Sequence, residues 1–204
     1  MKPIIKVCGL TDVENMRMVS EFNPDLFGFI FYSKSQRYVN DNLLIDASIS
    51  TLKRVGVFVN QPLEEIIQLA KQYQLSWIQL HGDEQPENYI QLLENNLKIV
   101  KAFSVNDTFD FKSCEKWLSL STYFLFDTKG ENRGGNGKPF NWSVLNKYTY
   151  NIPFLLSGGL SPDNIEQAKL LNFPQLTGFD LNSGIESSAG IKDIEQLKKV
   201  YAKL

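Results

Sequence analysis

Apolar residues gather into eight short runs along the chain: Ile4 to Val7, Leu26 to Phe31, Val55 to Val59, Trp77 to Leu80, Ile99 to Phe103, Tyr123 to Phe126, Phe154 to Leu156 and Gly178 to Leu181. Most are continuous in apolarity rather than alternating, the pattern of strands covered on both faces in a parallel sheet. Between them the period changes to that of a helix. Thr11 and Asp12 precede Val13, Met16 and Val19; Pro62 opens Leu63, Ile66, Ile67 and Ala70; Pro86 opens Tyr89, Ile90 and Leu93; Ser161 and Pro162 open Ile165, Ala168 and Leu171. A Ser, Thr or Asp at a helix start accepts from N–H groups that lack an internal partner, and a proline there has no N–H to lose. Weaker segments of the same kind begin at Asp41, Asp107, Asn141 and Asp193.

Strand and helix thus alternate eight times, at about 25 residues per unit over 204 residues, the low end for a barrel. No linker, low-complexity tract or charge block interrupts the series, so residues 1–204 are expected to form one domain. A closed (β/α)8 TIM barrel is the economical fold, because eight parallel strands with crossover helices close without edges. An open doubly wound sheet would instead call for a glycine-rich dinucleotide turn after an early strand, and Val7-Cys8-Gly9-Leu10-Thr11 is not G-x-G-x-x-G. In a barrel the active face lies at the C-terminal strand ends.

Composition narrows the function classes. With 43% hydrophobic and 22% charged residues the chain is globular. Its 21 Lys and Arg against 23 Asp and Glu give a formal charge of -2, so no sequence-wide basic field draws nucleic acid or an anionic membrane surface. Apolar runs such as Leu26 to Tyr32 fall far short of the ~20 residues of a membrane helix. No secretory signal follows Lys2, which makes the cytoplasm the expected compartment. The two cysteines, Cys8 and Cys114, are expected as thiols there. A single histidine, His81, excludes a His-rich metal site.

The strand ends carry the candidate chemistry. Cys8 closes the first run just before a helix start, where the helix N-terminus and nearby cations favour a thiolate base or nucleophile. The same residue equally suits a small buried hydrophobe. Arg37, in the loop Tyr32 to Tyr38, suits a two-pronged contact to carboxylate or phosphate, or a solvated charge. His81 suits a base, a donor to substrate, or a structural histidine. Asp127 follows Tyr123 to Phe126, and apolar walls favour the protonated carboxyl that acid catalysis needs; its alternative is a loop anchor. Gly130, Gly134, Gly135 and Gly137 mark a loop expected to close over a ligand. Gly158 and Gly159 after the seventh run, with Ser183 and Gly184 after the eighth, let backbone N–H groups approach a phosphate in the usual place for such barrels.

Lys6-Val7-Cys8-Gly9-Leu10-Thr11, Gly56-Val57-Phe58-Val59-Asn60, Gln79-Leu80-His81-Gly82-Asp83-Glu84, Phe126-Asp127-Thr128, Gly134 to Trp142, Ser157-Gly158-Gly159-Leu160 and Asn182-Ser183-Gly184-Ile185-Glu186 occur in order from end to end. Together they resemble the phosphoribosylanthranilate isomerases of tryptophan biosynthesis. The resemblance implies a cofactor-free, metal-free Amadori rearrangement of N-(5'-phosphoribosyl)anthranilate, by a monomer or homodimer. It makes Asp127 the general acid at the ring oxygen and Cys8 the general base at C2. It gives the anthranilate ring and carboxylate to Arg37, and the phosphate to the backbones around Gly158, Gly159, Ser183 and Gly184. His81 joins the substrate-binding set. The chain departs from the family pattern at Asn136, Ser157 and Asn182, all on the phosphate side or its loop.

Two relatives by chemistry fit less well. The histidine-pathway isomerase resembles the chain in its phosphate loops but uses an aspartate where Cys8 stands. A metal-dependent pentose-phosphate epimerase needs several histidines. A catalytically silent sugar-phosphate sensor would have no use for both Cys8 and Asp127.

Overall fold

The computed structural model describes residues 2–39, 53–128 and 140–204. The eight expected strands are present as β1 (Ile4–Cys8), β2 (Leu26–Ile30), β3 (Lys53–Phe58), β4 (Trp77–Leu80), β5 (Lys98–Val105), β6 (Tyr123–Thr128), β7 (Phe154–Leu156) and β8 (Leu176–Leu181). Each pairs in parallel with the next, and β8 pairs with β1 through Ile4 with Gly178 and Lys6 with Asp180, which closes the barrel. Asp127 therefore lies inside β6 rather than beyond it, and Cys8 is the last residue of β1.

Three of the helix start signals work as the sequence implies, while the segments expected from Asp107 and from Ser161 and Pro162 begin three or more residues later, at Phe111 and Ile165. Asp12 accepts the Asn15 N–H ahead of α1 (Val13–Ser20), Pro62 stands before α2 (Leu63–Gln72), and Asp193 accepts from Glu195 and Gln196 ahead of α5 (Ile194–Tyr201). Other crossovers are shorter than a full α-helix. Pro86–Tyr89 is a 3₁₀ turn leading into α3 (Gln91–Glu94); Phe111–Trp117 and Trp142–Lys147 are wholly 3₁₀; α4 (Ile165–Lys169) has five residues. A 3₁₀ segment rises ~2.0 Å per residue against ~1.5 Å in an α-helix, so it carries the chain back along the barrel in fewer residues. A chain this short for eight units gains from that. The helical segment expected from Asp41 and the glycine-rich loop with Asn136 lie outside the described residues. After β8 comes a feature the apolar pattern does not announce: a 3₁₀ turn, Ser183–Ile185, then a small hairpin of β9 (Glu186–Ser188) and β10 (Ile191–Lys192).

Side-chain alternation divides the interior in two. Ile5, Val7, Phe27, Phe29, Phe124, Phe126, Phe154 and Phe179 face the surrounding helices in one large apolar core. Leu26, Val55, Trp77, Val100, Ala102, Leu125 and Leu155 fill the barrel itself as a separate cluster. Above that apolar plug the inward positions turn polar, with Lys6, Cys8, Gln79, Asp127, Ser157 and Asp180 all buried. The change from plug to polar layer sets the depth of the site.

Candidate active site

Above the plug a pocket with about 640 Å³ of atom-free space, its open mouth included, is lined by Cys8, Gln79, His81, Asp127, Ser157, Gly158, Gly159, Asp180, Asn182, Ser183 and Gly184, among others. Parallel strands bring these residues together because each inward position two residues on stands one layer higher. Seven of the eight predicted site residues meet here; Arg37 does not line the pocket.

Cys8 is held on the β1 to β2 side, where Gly28 pairs with it in register and leaves room for its sulfur. The expected helix N-terminus is not at hand, since α1 begins at Val13. Burial pushes the Cys8 thiol above its ordinary value, and Lys6 is the main influence pulling it back. Lys6, two residues earlier on the same face of β1, is fully buried and donates to both Asp180 carboxylate oxygens at 2.9 Å. Burial opposes its ammonium, but Asp180 and Cys8 outweigh that and hold Lys6 above its ordinary value.

Asp127 stands across the pocket. Its environment differs from the apolar walls expected, because the preceding phenylalanines point outward into the helix-facing core. The Thr128 N–H donates to Oδ1 at 2.8 Å, and His81 Nε2 lies 3.5 Å from Oδ2. The amide nitrogen of Gln79 sits 2.9 Å from His81 Nδ1, which makes Nδ1 the acceptor and puts the proton of a neutral ring on Nε2, facing Asp127. The His81 loop is braced from behind. Lys101 donates to the carbonyls on either side, Leu80 at 3.0 Å and Gly82 at 2.8 Å, and to Glu84 Oε2 at 2.8 Å. Glu84 in turn accepts the Gly82 and Asn60 N–H groups.

The fourth wall is backbone. Gly158 and Gly159 have φ of +88° and +67°, a region where a side chain is strained, and a Cβ on Gly158 would run into Thr128. Asn164 fixes this turn by accepting from Ser161 N–H and donating to the Gly159 carbonyl. Among the described residues no protein group accepts the Gly158 or Gly159 N–H, and both residues line the pocket beside Ser183 and Gly184. Amides without a protein acceptor at the edge of one hollow suit an anion.

The family model for N-(5'-phosphoribosyl)anthranilate (PRA) isomerase matches residues 5–203. The chain belongs to the phosphoribosylanthranilate isomerase family. An N-(5'-phosphoribosyl)anthranilate isomerase from Parabacteroides distasonis is 41% identical over 199 residues, covering 96% of this chain and 90% of that one. Among solved structures, a phosphoribosyl anthranilate isomerase from Thermus thermophilus superposes with a TM-score of 0.81 at 26% identity, over 98% of this chain and 96% of that one. A second, solved in complex with reduced 1-(o-carboxyphenylamino)-1-deoxyribulose 5-phosphate, gives 0.76 at 29% identity, over 99% and 98%.

Within the isomerase fold, Arg37 is anchored to the hairpin after β8. Its Nε lies 2.9 and 3.0 Å from the two Glu186 oxygens and its Nη2 2.5 Å from one of them. Glu186 also accepts from Lys192 at 2.6 Å, and Lys192 donates to Asn182 Oδ1 at 2.9 Å. Burial works against the Glu186 charge, yet Arg37 and Lys192 hold its carboxyl below the usual carboxylate range. The family-pattern departure at Asn182 thus has a structural use as a ligand to Lys192, while Ser157 lines the pocket floor. Sequence reasoning missed Lys6, Asp180, Lys101, Glu186 and Lys192. The available signal was the charged residue interrupting an apolar run at Lys6, Lys101 and Asp180. Among the described residues no group of three His, Cys, Asp or Glu is placed to hold a metal ion, and no helix is long and apolar enough to cross a membrane.

Proposed function

We infer that this chain isomerises N-(5'-phosphoribosyl)anthranilate to 1-(2-carboxyphenylamino)-1-deoxyribulose 5-phosphate, in tryptophan biosynthesis. Asp127 acts as general acid and protonates the furanose oxygen as the anilino nitrogen pair expels it from C1, giving an open-chain iminium. That cation acidifies the C2 proton, which Cys8 removes as thiolate; the resulting enolamine then tautomerises to the ketone. The phosphate sits against the Gly158 and Gly159 amides with Ser183 and Gly184 opposite. His81, facing Asp127 through Nε2, donates on the substrate's acid side. Arg37 holds the anthranilate carboxylate; with Nε and Nη2 engaged by Glu186, that contact comes from Nη1 or the guanidinium face.

The observation that carries this reading is that Cys8 and Asp127, far apart in sequence, line one pocket next to paired glycine amides with no protein acceptor among the described residues. The activity of the family to which the chain belongs supports it. The test follows the fluorescence of freshly made N-(5'-phosphoribosyl)anthranilate, which falls as substrate is consumed. Cys8→Ala and Asp127→Ala are each expected to abolish detectable turnover while leaving product binding largely intact. Near-normal rates in either variant refute the role given to that residue, and no fluorescence loss with the unaltered protein refutes the activity.

A further inference from the structure

The inside of the barrel is apolar at the depth of Leu26, Val55, Trp77, Val100 and Leu155, and then abruptly holds a fully buried ion pair. Filling a layer with Lys6 and Asp180 is a poor way to gain stability. Removing two charges from water costs several kcal/mol each, and well-packed apolar side chains in their place are often neutral or better. The pair's position is more informative than its presence. Lys6 Nζ holds both Asp180 oxygens at 2.9 Å, and Lys6 precedes Cys8 by two residues on the same inward face of β1, which puts its ammonium within electrostatic reach of the Cys8 thiol. Asp180 lines the pocket floor beside Cys8.

We propose that Lys6 is a positioning residue that makes Cys8 usable as a base, by neutralising Asp180 and holding a positive charge in the buried layer one step below the Cys8 sulfur. This rests on the reading of Cys8 as general base and explains how a buried thiol can lose its proton there. The charges around Cys8 can be enumerated element by element. Lys6 lies on β1 itself. From β8 comes Asp180, and from β10 comes Lys192, already paired with Glu186. Strand β2 presents Gly28 and carries no charge. Across the pocket Asp127 and His81 act on Asp180. Of these, Lys6 favours the thiolate most strongly and Asp180 opposes it. Lys6 and Asp180 therefore act on the Cys8 thiol with opposite signs.

That sign difference is the test. The full-length protein is alkylated with iodoacetamide across a pH series, and modification at Cys8 is read by peptide mass spectrometry, which keeps it separate from Cys114. The pH profile of kcat/KM is measured on the same variants. Lys6→Met is expected to move the Cys8 alkylation midpoint up by at least one pH unit, a tenfold or greater loss of thiolate at a fixed pH below it. Asp180→Asn is expected to move it down. The limb of the kcat/KM profile that reports the base follows both. Midpoints that stay put, or move in the same direction in both variants, overturn the proposal. If Lys6→Met does not fold, Asp180→Asn alone decides, since an unmoved or raised midpoint is fatal. A kcat/KM limb that ignores a shifted alkylation midpoint supports the role of Lys6 at the thiol and instead refutes Cys8 as the base.

Discussion

Gly28 is the most sensitive position in the wall behind Cys8, and Gly28→Ala tests whether the sulfur's placement matters as much as its presence. A methyl carbon there would lie 2.6 Å from Cys8 Sγ, 3.0 Å from its Cα and 3.1 Å from its Cβ. Ordinary contact begins near 3.4 Å, so Sγ has to retreat by about 0.8 Å, and the strand-to-strand contact to Cα leaves little slack. Gly28 pairs directly with Cys8 in a closed barrel whose β3 side is pinned through Gly28 with Val55, so β2 cannot simply shift outward. Overpacking of this kind costs about 1–3 kcal/mol. Misplacing a reacting group by ~1 Å costs on the order of 10²-fold in rate. Gly28→Ala is therefore expected to lower kcat about 10²-fold and the urea-unfolding free energy by about 1–3 kcal/mol.

A double-mutant cycle separates this from general damage. Cys8→Ala removes the atom nearest the new methyl while leaving Cα and Cβ, so part of the strain is relieved. The Gly28→Ala penalty should shrink by about 0.5 kcal/mol or more when made on a Cys8→Ala background. Strictly additive stabilities, or Gly28→Ala turning over within a few-fold of the unaltered protein, refute the argument that Gly28 exists to seat the sulfur.

Two further outcomes follow from the same geometry. Lys101→Met leaves Glu84 buried with only backbone donors and removes the tie to the carbonyls flanking His81; a loss of about 3 kcal/mol is expected by urea unfolding, and less than about 1 kcal/mol contradicts the brace. Burial pushes the Cys114 thiol from 9.0 up to about 12, so the fold favours its protonated form; the stability this supplies is fully present below about pH 9 and is lost as pH rises from there toward 12. Buried Tyr148 and half-buried Tyr201, also pushed up, add to the same decline. Urea midpoints should be flat from pH 7 to 9 and fall above, less steeply in Cys114→Ala, and a steepness unchanged by that substitution counts against Cys114.

How much was legible beforehand depended on which way a residue faces. The eight strands could be read because their outward positions, such as Phe27, Phe29, Phe124 and Phe126, and the plug residues beneath are both apolar, so the runs are unbroken at the bottom of the barrel. Cys8, His81 and Asp127 could be read because they stand where those runs stop. The 3₁₀ crossovers could not, because Asp110 and Asn141 give the same start signal to a tight turn as to an α-helix, each accepting from the residue two ahead. The hairpin after β8 was hidden for a different reason. Its strands of three and two residues are too short for any period, and its charged residues Glu186 and Lys192 are buried by finding each other and Arg37, which comes from the distant loop after β2.

Lys6 and Asp180 show why a site's supporting charges are harder to see than its reacting groups. One residue on each strand interrupts an apolar run, and either alone reads as a solvated side chain that pattern reasoning assigns to a strand end. Only closure of the barrel puts β8 next to β1 and makes Lys6 the register partner of Asp180. The closing pair of strands is also the pair most distant in sequence, so the contact proposed to tune Cys8 exists only where β8 docks on β1. A chain with β8 undocked would keep Cys8 and Asp127 in their strands and lose both the ammonium's partner and the Ser183 and Gly184 wall. On the proposed mechanism, barrel closure and the capacity of the thiol to act as a base thus depend on the same strand pairing, which ties the proposed chemistry to the complete barrel rather than to any half of it.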